Sequence, residues 1–155
     1  MTRLCYFNSP IGWIRICENG KGITMIQFLS DPKDQLNTTE ANTPLLKEAV
    51  QQLTDYFSGK RKEFTLPLDL RGTDFQLRTW NALRDIPYGE TRTYKQIAEA
   101  IGCPKGCRAV GLANNRNPVS IVVPCHRVIG ANGSLVGYAS GLDNKERLLT
   151  IEKNK

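Results

Sequence analysis

A chain of 155 residues with 40% apolar and 23% charged residues is ordinary for a globular protein and long enough for one large or two small packed units. No apolar stretch approaches the roughly 18 residues of a membrane span, and Met1-Thr2-Arg3-Leu4-Cys5 lacks the architecture of a secretion signal, so a cytoplasmic protein is expected. The net charge of +6 is unevenly placed: residues 1–72 carry nine Lys or Arg against eight Asp or Glu, and residues 73–155 carry twelve against seven. Between positions 92 and 127, Arg92, Lys95, Lys105, Arg108, Arg116 and Arg127 face only Glu99; such a concentration suits a polyanion, and suits a solvated surface equally well.

In chain order, the first third reads as strands. Leu4–Phe7, Ile11–Cys17 and Gly22–Phe28 are β-branched or aromatic runs. Ser9-Pro10 breaks the first pair and Asn19-Gly20, a hairpin signal, breaks the second. Asp31–Asn42 is polar and without period, as an exposed loop would be. Pro44 occupies a first helical position, and Leu45, Leu46, Ala49, Val50, Leu53, Tyr56 and Phe57 then follow helical spacing up to Gly59. Phe64, Leu66, Leu68 and Leu70 alternate, which predicts a further strand.

The strand pattern gives way to helices near Arg71-Gly72. Thr73-Asp74-Phe75-Gln76 is a capping box opening a helix to about Ile86, and Thr93-Tyr94-Lys95-Gln96 is a second, opening a short helix that Gly102 closes. A third helix is expected from Pro104 to about Asn115, making with its predecessor a helix-turn-helix. Its residues Gly106, Cys107, Ala109, Gly111 and Ala113 are small, and Arg108 is its one long projection. Such a surface lets a backbone approach a nucleic-acid groove and contact phosphates rather than base edges; it would equally let the helix pack tightly on a core. Four glycines between Gly130 and Gly141 imply a turn and a conformable loop, where Tyr138 is a gate, a stacking group or simply a surface aromatic. Asp143 to Glu152 reads as a last helix with Leu148, Leu149 and Ile151 inward. Glu152 sits near its end, where the helix dipole disfavours a carboxylate, so a compensating partner is expected.

Five cysteines are an odd number, and without a secretion signal they do not suggest a disulfide framework. Cys103 and Cys107 have a loose zinc spacing, but no second pair of ligands follows. Cys5, Cys17, Cys103 and Cys107 read as small packing residues; no metal and no cofactor is expected. Cys125 differs. It stands in Asn117-Pro118-Val119-Ser120-Ile121-Val122-Val123-Pro124-Cys125-His126-Arg127-Val128, between a proline and the only histidine of the chain. The two prolines push Asn117 and Val123 toward extended backbone, so a stiff, mostly buried segment should deliver the Cys125 sulfur to a defined place. A thiolate nucleophile needs a base or positive charge, and His126 is the imidazole available, with Glu152 or another acid to orient its far nitrogen. Adjacent residues of an extended chain point to opposite faces, so contact between Cys125 and His126 requires a turn or a bridging water. Spacing alone does not separate this from a chance neighbour pair whose histidine caps a carbonyl.

Pro124-Cys125-His126-Arg127-Val128, with Arg108-Ala109-Val110-Gly111 and Asn117-Pro118 before it, closely resembles the O6-alkylguanine-DNA alkyltransferase family. Tyr88-Gly89-Glu90, Tyr94, Gly137-Tyr138, Ser140-Gly141-Leu142, Lys145-Glu146 and Leu148-Leu149 fit as well, so the likeness is dense over roughly 73–152 and only architectural before it. The resemblance implies an α/β N-terminal unit over 1–72 (a small antiparallel sheet plus a helix, ribonuclease-H-like). After it, over 73–155, comes a mostly α winged helix-turn-helix domain carrying DNA binding and the alkyl acceptor. It implies direct, irreversible, stoichiometric transfer of a methyl group from O6 of guanine, and O4 of thymine, in duplex DNA. Cys125 is then the acceptor, His126 a base working through a water, Glu152 its carboxylate partner, and Tyr94 the proton donor to the departing purine. Arg108 becomes the finger that fills the gap left by a flipped base, with Lys105, Gly106, Cys107, Ala109, Gly111 and Tyr94 along the DNA. Asn117 is the hinge that braces the turn before the acceptor. The carbonyls of Cys125 and Val128, with Tyr138, Ala139 and Ser140, line the base pocket, and Lys145 contributes further. Asn114, Ser120 and Ser140 fall at pocket-edge positions. Zinc-binding members use N-terminal cysteines and histidines, and this chain has no histidine there, so no zinc is expected. Its partner would be alkylated double-stranded DNA, met as a monomer. The rivals are a lesion-sensing DNA-binding protein without chemistry, against which Cys125 speaks, and a Cys-His hydrolase.

Overall fold

The computed structural model describes residues 2–29, 40–133 and 141–153, and the chain divides into two compact units, 1–70 and 71–155. In the first unit β1 (Arg3–Ser9), β2 (Gly12–Glu18) and β3 (Ile23–Phe28) form an antiparallel sheet in that order. Cys5 faces Ile16 and Ile16 faces Ile26, so alternate apolar residues share one buried side. The Asn19-Gly20 signal works as read. Gly20 adopts a left-handed φ of 88°, and the Asn19 side chain accepts from Lys21 N at 2.9 Å and Gly22 N at 3.2 Å. Helix α1 (Pro44–Phe57) starts with Thr43 accepting from Leu46 N at 3.1 Å and Pro44 in the first turn. It lays Leu46, Ala49, Leu53 and Tyr56 against the sheet.

The expected strand over 64–70 is reduced to a single parallel bridge between Ile23 and Leu68. Ile23 N donates to Pro67 O and Asp69 N to Ile23 O, but Pro67 has no donor with which to extend the ladder. The polar stretch 31–42 falls largely outside the described residues.

In the second unit α2 (Asp74–Arg84) and α3 (Tyr94–Ala100) both open with the capping boxes read from sequence, complete in both directions. The Trp80 indole, buried on α2, donates to Ala113 O at 2.8 Å and so ties α2 to α4 (Cys107–Asn115). Gly72 is required by that tryptophan, because a Cβ there would lie 2.8 Å from its ring. α4 begins three residues later than expected. Gly106 N donates to Cys103 O at 2.8 Å, closing a turn with Pro104 at its second position, and Gly106 becomes the helix cap. Residues 101–106 thus join α3 and α4, with Gly102 at φ 79°. Beyond α4, one turn of 3-10 helix (Cys125–Arg127) leads into β5 (Val128–Ile129), which pairs in parallel with β4 (Arg92–Thr93) directly before α3. The last helix, α5 (Leu142–Lys153), packs on the 3-10 turn. No described helix is long and apolar enough to cross a membrane.

Candidate active site

The segment leading to Cys125 is buried, as expected, at Val119, Ile121, Val123 and Cys125. It is turned, however, and not extended. Val122 N bonds Ser120 O at 2.8 Å around Ile121, whose φ of 72° is the one positive value among the described non-glycine residues. A γ-turn of that hand at a β-branched residue is strained. A second γ-turn follows around Pro124 (φ −81°, ψ 63°), with Cys125 N donating to Val123 O at 2.8 Å. Proline's fixed φ suits that conformation as well as it suits a strand, so pattern alone could not separate them.

Asn117 holds the turn together. Its Oδ1 accepts from Val119 N at 3.0 Å, and its Nδ2 donates to Val123 O at 2.8 Å and Val119 O at 3.3 Å. The Cys125 carbonyl accepts from Val128 N and, at 3.3 Å, from the buried Asn114 amide. The 3-10 turn, not an extended chain, therefore sets the relative directions of Cys125, His126 and Arg127.

α5 meets this turn with Lys145, Leu148 and Glu152, one face of a helix at spacings of three and four. The inward face expected from Leu148, Leu149 and Ile151 is thus partly wrong. Leu148 is buried, but Leu149 and Ile151 are only half-buried, and two charged residues occupy the core side instead. His126 Nε2 lies 2.7 Å from Glu152 Oε2, and both side chains are removed from solvent. Arg127 Nε reaches Glu152 Oε1 at 2.8 Å, one terminal nitrogen reaches Oε2 at 3.0 Å, and the other donates to Ile86 O at 2.7 Å. These are the compensating partners that a carboxylate at a helix C-terminus requires. Burial pushes the Glu152 carboxyl up, but the hydrogen bonds and charge of His126 and Arg127 outweigh it and hold the group down to about 2. The imidazole moves the other way. Burial keeps His126 below its ordinary value, aided by the charges of Arg127 and Lys145, although Glu152 pulls it up.

Two more groups address the sulfur. Lys145 is wholly buried, with its ammonium 5.8 Å from the Tyr94 ring centroid. Burial lowers it to about 8, and negative charge at Cys125 opposes that. The half-buried Tyr94 hydroxyl is raised by burial and by Cys125, and lowered by its hydrogen bond with Asn114.

Outside this cluster, α4 turns Cys107, Arg108, Ala109 and Leu112 to solvent, with Leu112 65% exposed one turn from Arg108. Lys105 is also exposed, and Gly106 and Gly111 are half-buried. A Cβ on Gly111 would come no closer than 3.9 Å to Tyr94, so core packing does not demand glycine there. The reading of Cys103 and Cys107 as packing residues fails. Cys107 is exposed on the outward first turn of α4 and Cys103 is half-buried in the turn before it, whereas Cys5 and Cys17 are buried; none of the five cysteines is in a disulfide. Tyr138, Ala139 and Ser140 lie outside the described residues.

Residues 74–154 match the profile of the 6-O-methylguanine DNA methyltransferase DNA binding domain, and residues 3–70 that of the 6-O-methylguanine DNA methyltransferase ribonuclease-like domain. The chain belongs to the 6-O-methylguanine DNA methyltransferase family. It is 53% identical over 148 residues to a methylated-DNA–protein-cysteine methyltransferase of Methanosarcina acetivorans, covering 94% of this chain and 95% of that one. Among solved structures it is similar to the Mycobacterium tuberculosis O6-methylguanine methyltransferase, at a TM-score of 0.89 and 47% identity, covering 99% of this chain and 94% of that one. It is likewise similar to Mycobacterium tuberculosis OGT in complex with DNA, at a TM-score of 0.87 and 47% identity over 99% and 92%.

In this 6-O-methylguanine DNA methyltransferase family member, sequence reading missed three residues that the fold makes prominent. The sequence places Arg127 only in the basic concentration and the acceptor motif, Asn114 only at a pocket edge, and gives Leu112 no role. Arg127 directly follows the histidine, and Leu112 repeats Arg108 at i+4; those were the available signals. Among the described residues no group of three His, Cys, Asp or Glu side chains is arranged to hold a metal ion.

Proposed function

We propose that this chain repairs alkylated duplex DNA by taking a methyl group from O6 of guanine, and from O4 of thymine, onto Sγ of Cys125, once per molecule. The observation that carries the reading is the placement of one buried thiol beside Tyr94 and Lys145, next in sequence to an imidazole hydrogen-bonded to a carboxylate.

The alkyl carbon of a stacked base is out of reach, so the base is flipped out, at a cost of a few kcal/mol that is smaller for damaged or mispaired bases. The exposed face of α4 supports this step. Lys105 and the small residues Gly106, Cys107, Ala109 and Gly111 admit a close minor-groove approach, while Arg108 fills the vacated stack. Leu112 lies on the same face as an apolar contact. His126 takes the thiol proton on Nδ1 through a water. The sulfur–carbon bond forms as the carbon–oxygen bond breaks, and Tyr94 gives a proton to the leaving purine. The Val128 carbonyl, with Tyr138, Ala139 and Ser140, holds the base. Asn117 keeps the acceptor turn in register. The product thioether is a poor leaving group, so each monomer reacts once.

Intact-protein mass spectrometry after incubation with duplex DNA containing O6-methylguanine tests this. The expected result is a gain of one methylene on the Cys125 peptide, saturating at one per protein and absent in Cys125→Ser, which still binds DNA. Turnover beyond one equivalent, or alkylation at another residue, would overturn it.

A further inference from the structure

We propose that Arg127 is the positioning residue that sets the protonation state of the acceptor site: it keeps Glu152 a carboxylate, so that the proton shared with His126 stays on Nε2 and the Nδ1 lone pair is the site's base. This rests on the reading of Cys125 as acceptor and adds a residue and a proton assignment to it.

The geometry leaves few alternatives. The guanidinium forks onto both oxygens of Glu152, at 2.8 Å and 3.0 Å, and Oε2 also faces His126 Nε2 at 2.7 Å. A carboxyl oxygen carrying a proton cannot accept from a donor along that O–H, so the fork selects the ionised form. With Glu152 ionised, a bare Nε2 would set two lone pairs against each other at 2.7 Å, so Nε2 must carry hydrogen. A second proton on Nδ1 would make an imidazolium in a wholly buried place. The charged and titratable groups around it are Arg127 and Cys125 on its own turn, Lys145 and Glu152 on α5, Tyr88 in the loop before β4, and Tyr94 at the start of α3. One anion among them, Glu152, is already matched by Arg127. His126 Nδ1 is buried and has no hydrogen-bond partner among the described residues, as a lone pair kept for an incoming proton would be.

Arg127 is itself held from three sides. It donates to Ile86 O at 2.7 Å, its guanidinium carbon lies 5.7 Å from the Tyr88 ring centroid, and Glu152 takes its fork. That clamp fixes the carboxylate in position as well as in charge.

Because His126 is the only histidine of the chain, nitrogen-15 NMR of histidine-labelled protein reads its tautomer without an assignment problem. The wild type is expected to give a neutral ring, protonated at Nε2 and bare at Nδ1, at pH 7. A ring protonated at Nδ1, or at both nitrogens, would overturn the proposal whatever the variants do. In Arg127→Gln the unneutralised carboxylate should draw a proton onto the ring, and the imidazolium should appear as pH falls toward 6. Transfer should then be slower than in the wild type at pH 6, because removing the Arg127 charge raises the imidazole and depletes its neutral form, with the deficit shrinking as pH is raised to 9. Arg127→Lys, which keeps the charge but not the fork, should restore part of the neutral-ring signal and part of the rate at pH 6. A rate loss equal at every pH, with an unchanged ring spectrum, would reduce Arg127 to a structural strut and defeat the proposal. If Arg127→Gln does not fold, the wild-type spectrum and Arg127→Lys still decide. If the spectra come out as expected but Cys125 gains no methylene, the acceptor reading fails and the proton assignment survives.

Discussion

The Lys145 ammonium lies 5.8 Å from the centroid of the Tyr94 ring, on a side chain with no exposure to solvent. A cation against an aromatic face is stabilised by the ring, yet burial dominates and brings the group from 10.5 to about 8. Below pH 8 the lysine is charged in folded and unfolded chains alike, and the folded chain bears the burial cost in full. Between about 8 and 10.5 the folded chain loses its proton first and the cost fades. Lys145→Met is therefore expected to stabilise the protein at pH 7 by on the order of 1–3 kcal/mol, to lose that advantage by pH 10.5, and to slow alkyl transfer. Urea melts at pH 7 and pH 10 check the first two; an unchanged midpoint at pH 7 would contradict the burial cost.

Glu152 carries the opposite sign. Its carboxyl is held at about 2 in the folded chain against an ordinary 4.5, so its stabilisation is complete above pH 4.5 and is lost as pH falls toward 2. The shift corresponds to about 3 kcal/mol. Glu152→Gln should remove that part of the acid dependence. It should also lower stability at pH 7 by about 3–5 kcal/mol, because Arg127 is left buried without its anion. Denaturant midpoints measured from pH 7 down to pH 3 would show a flatter curve for the variant; parallel curves would mean that other carboxylates govern acid unfolding.

Asn117 is judged by which of its atoms matter. Two of its three bonds are donated, to Val119 O and Val123 O. Asn117→Asp keeps the acceptor for Val119 N but turns a carboxylate oxygen toward two carbonyls. It should destabilise at least as much as Asn117→Ala, for which about 1–3 kcal/mol is expected. Thermal denaturation compares them, and a near-native Asn117→Asp would show that the donated bonds contribute little.

Gly111 separates helix stability from DNA approach. Its Cβ position is open, so Gly111→Ala should gain up to about 1 kcal/mol of helix stability. Weaker duplex binding in the same variant would assign the glycine to close groove contact, and unchanged binding would remove that role. Arg108→Ala, on the same exposed face, should impair transfer in duplex far more than in single-stranded DNA; equal losses would rule out a finger.

Local chemistry made much of the fold legible. Both capping boxes, Pro44 at the start of α1 and the Asn19-Gly20 turn depend on residues within four positions of one another, so pattern reveals them. The acceptor turn was located by its prolines but misjudged as extended. A γ-turn at Ile121 is held by Asn117 reaching across to Val123, which no propensity encodes. Cys107 and Cys103 were misjudged because small residues on a helix fit a packed face and an exposed one equally well.

From the sequence alone came the two-part organisation, the helix starts and strand runs, and the family likeness carried by the residues around Cys125, since each depends on residues close together in the chain. The site's electrostatics did not. Glu152 meets Arg127 across 25 residues and Arg127 meets Ile86 across 41, so their charges are set by how α5 docks on the 3-10 turn. Only that docking makes Arg127, in sequence one member of a basic concentration, the buried partner of a carboxylate, because in a low-dielectric interior an ionised group is defined by what lies within hydrogen-bond reach.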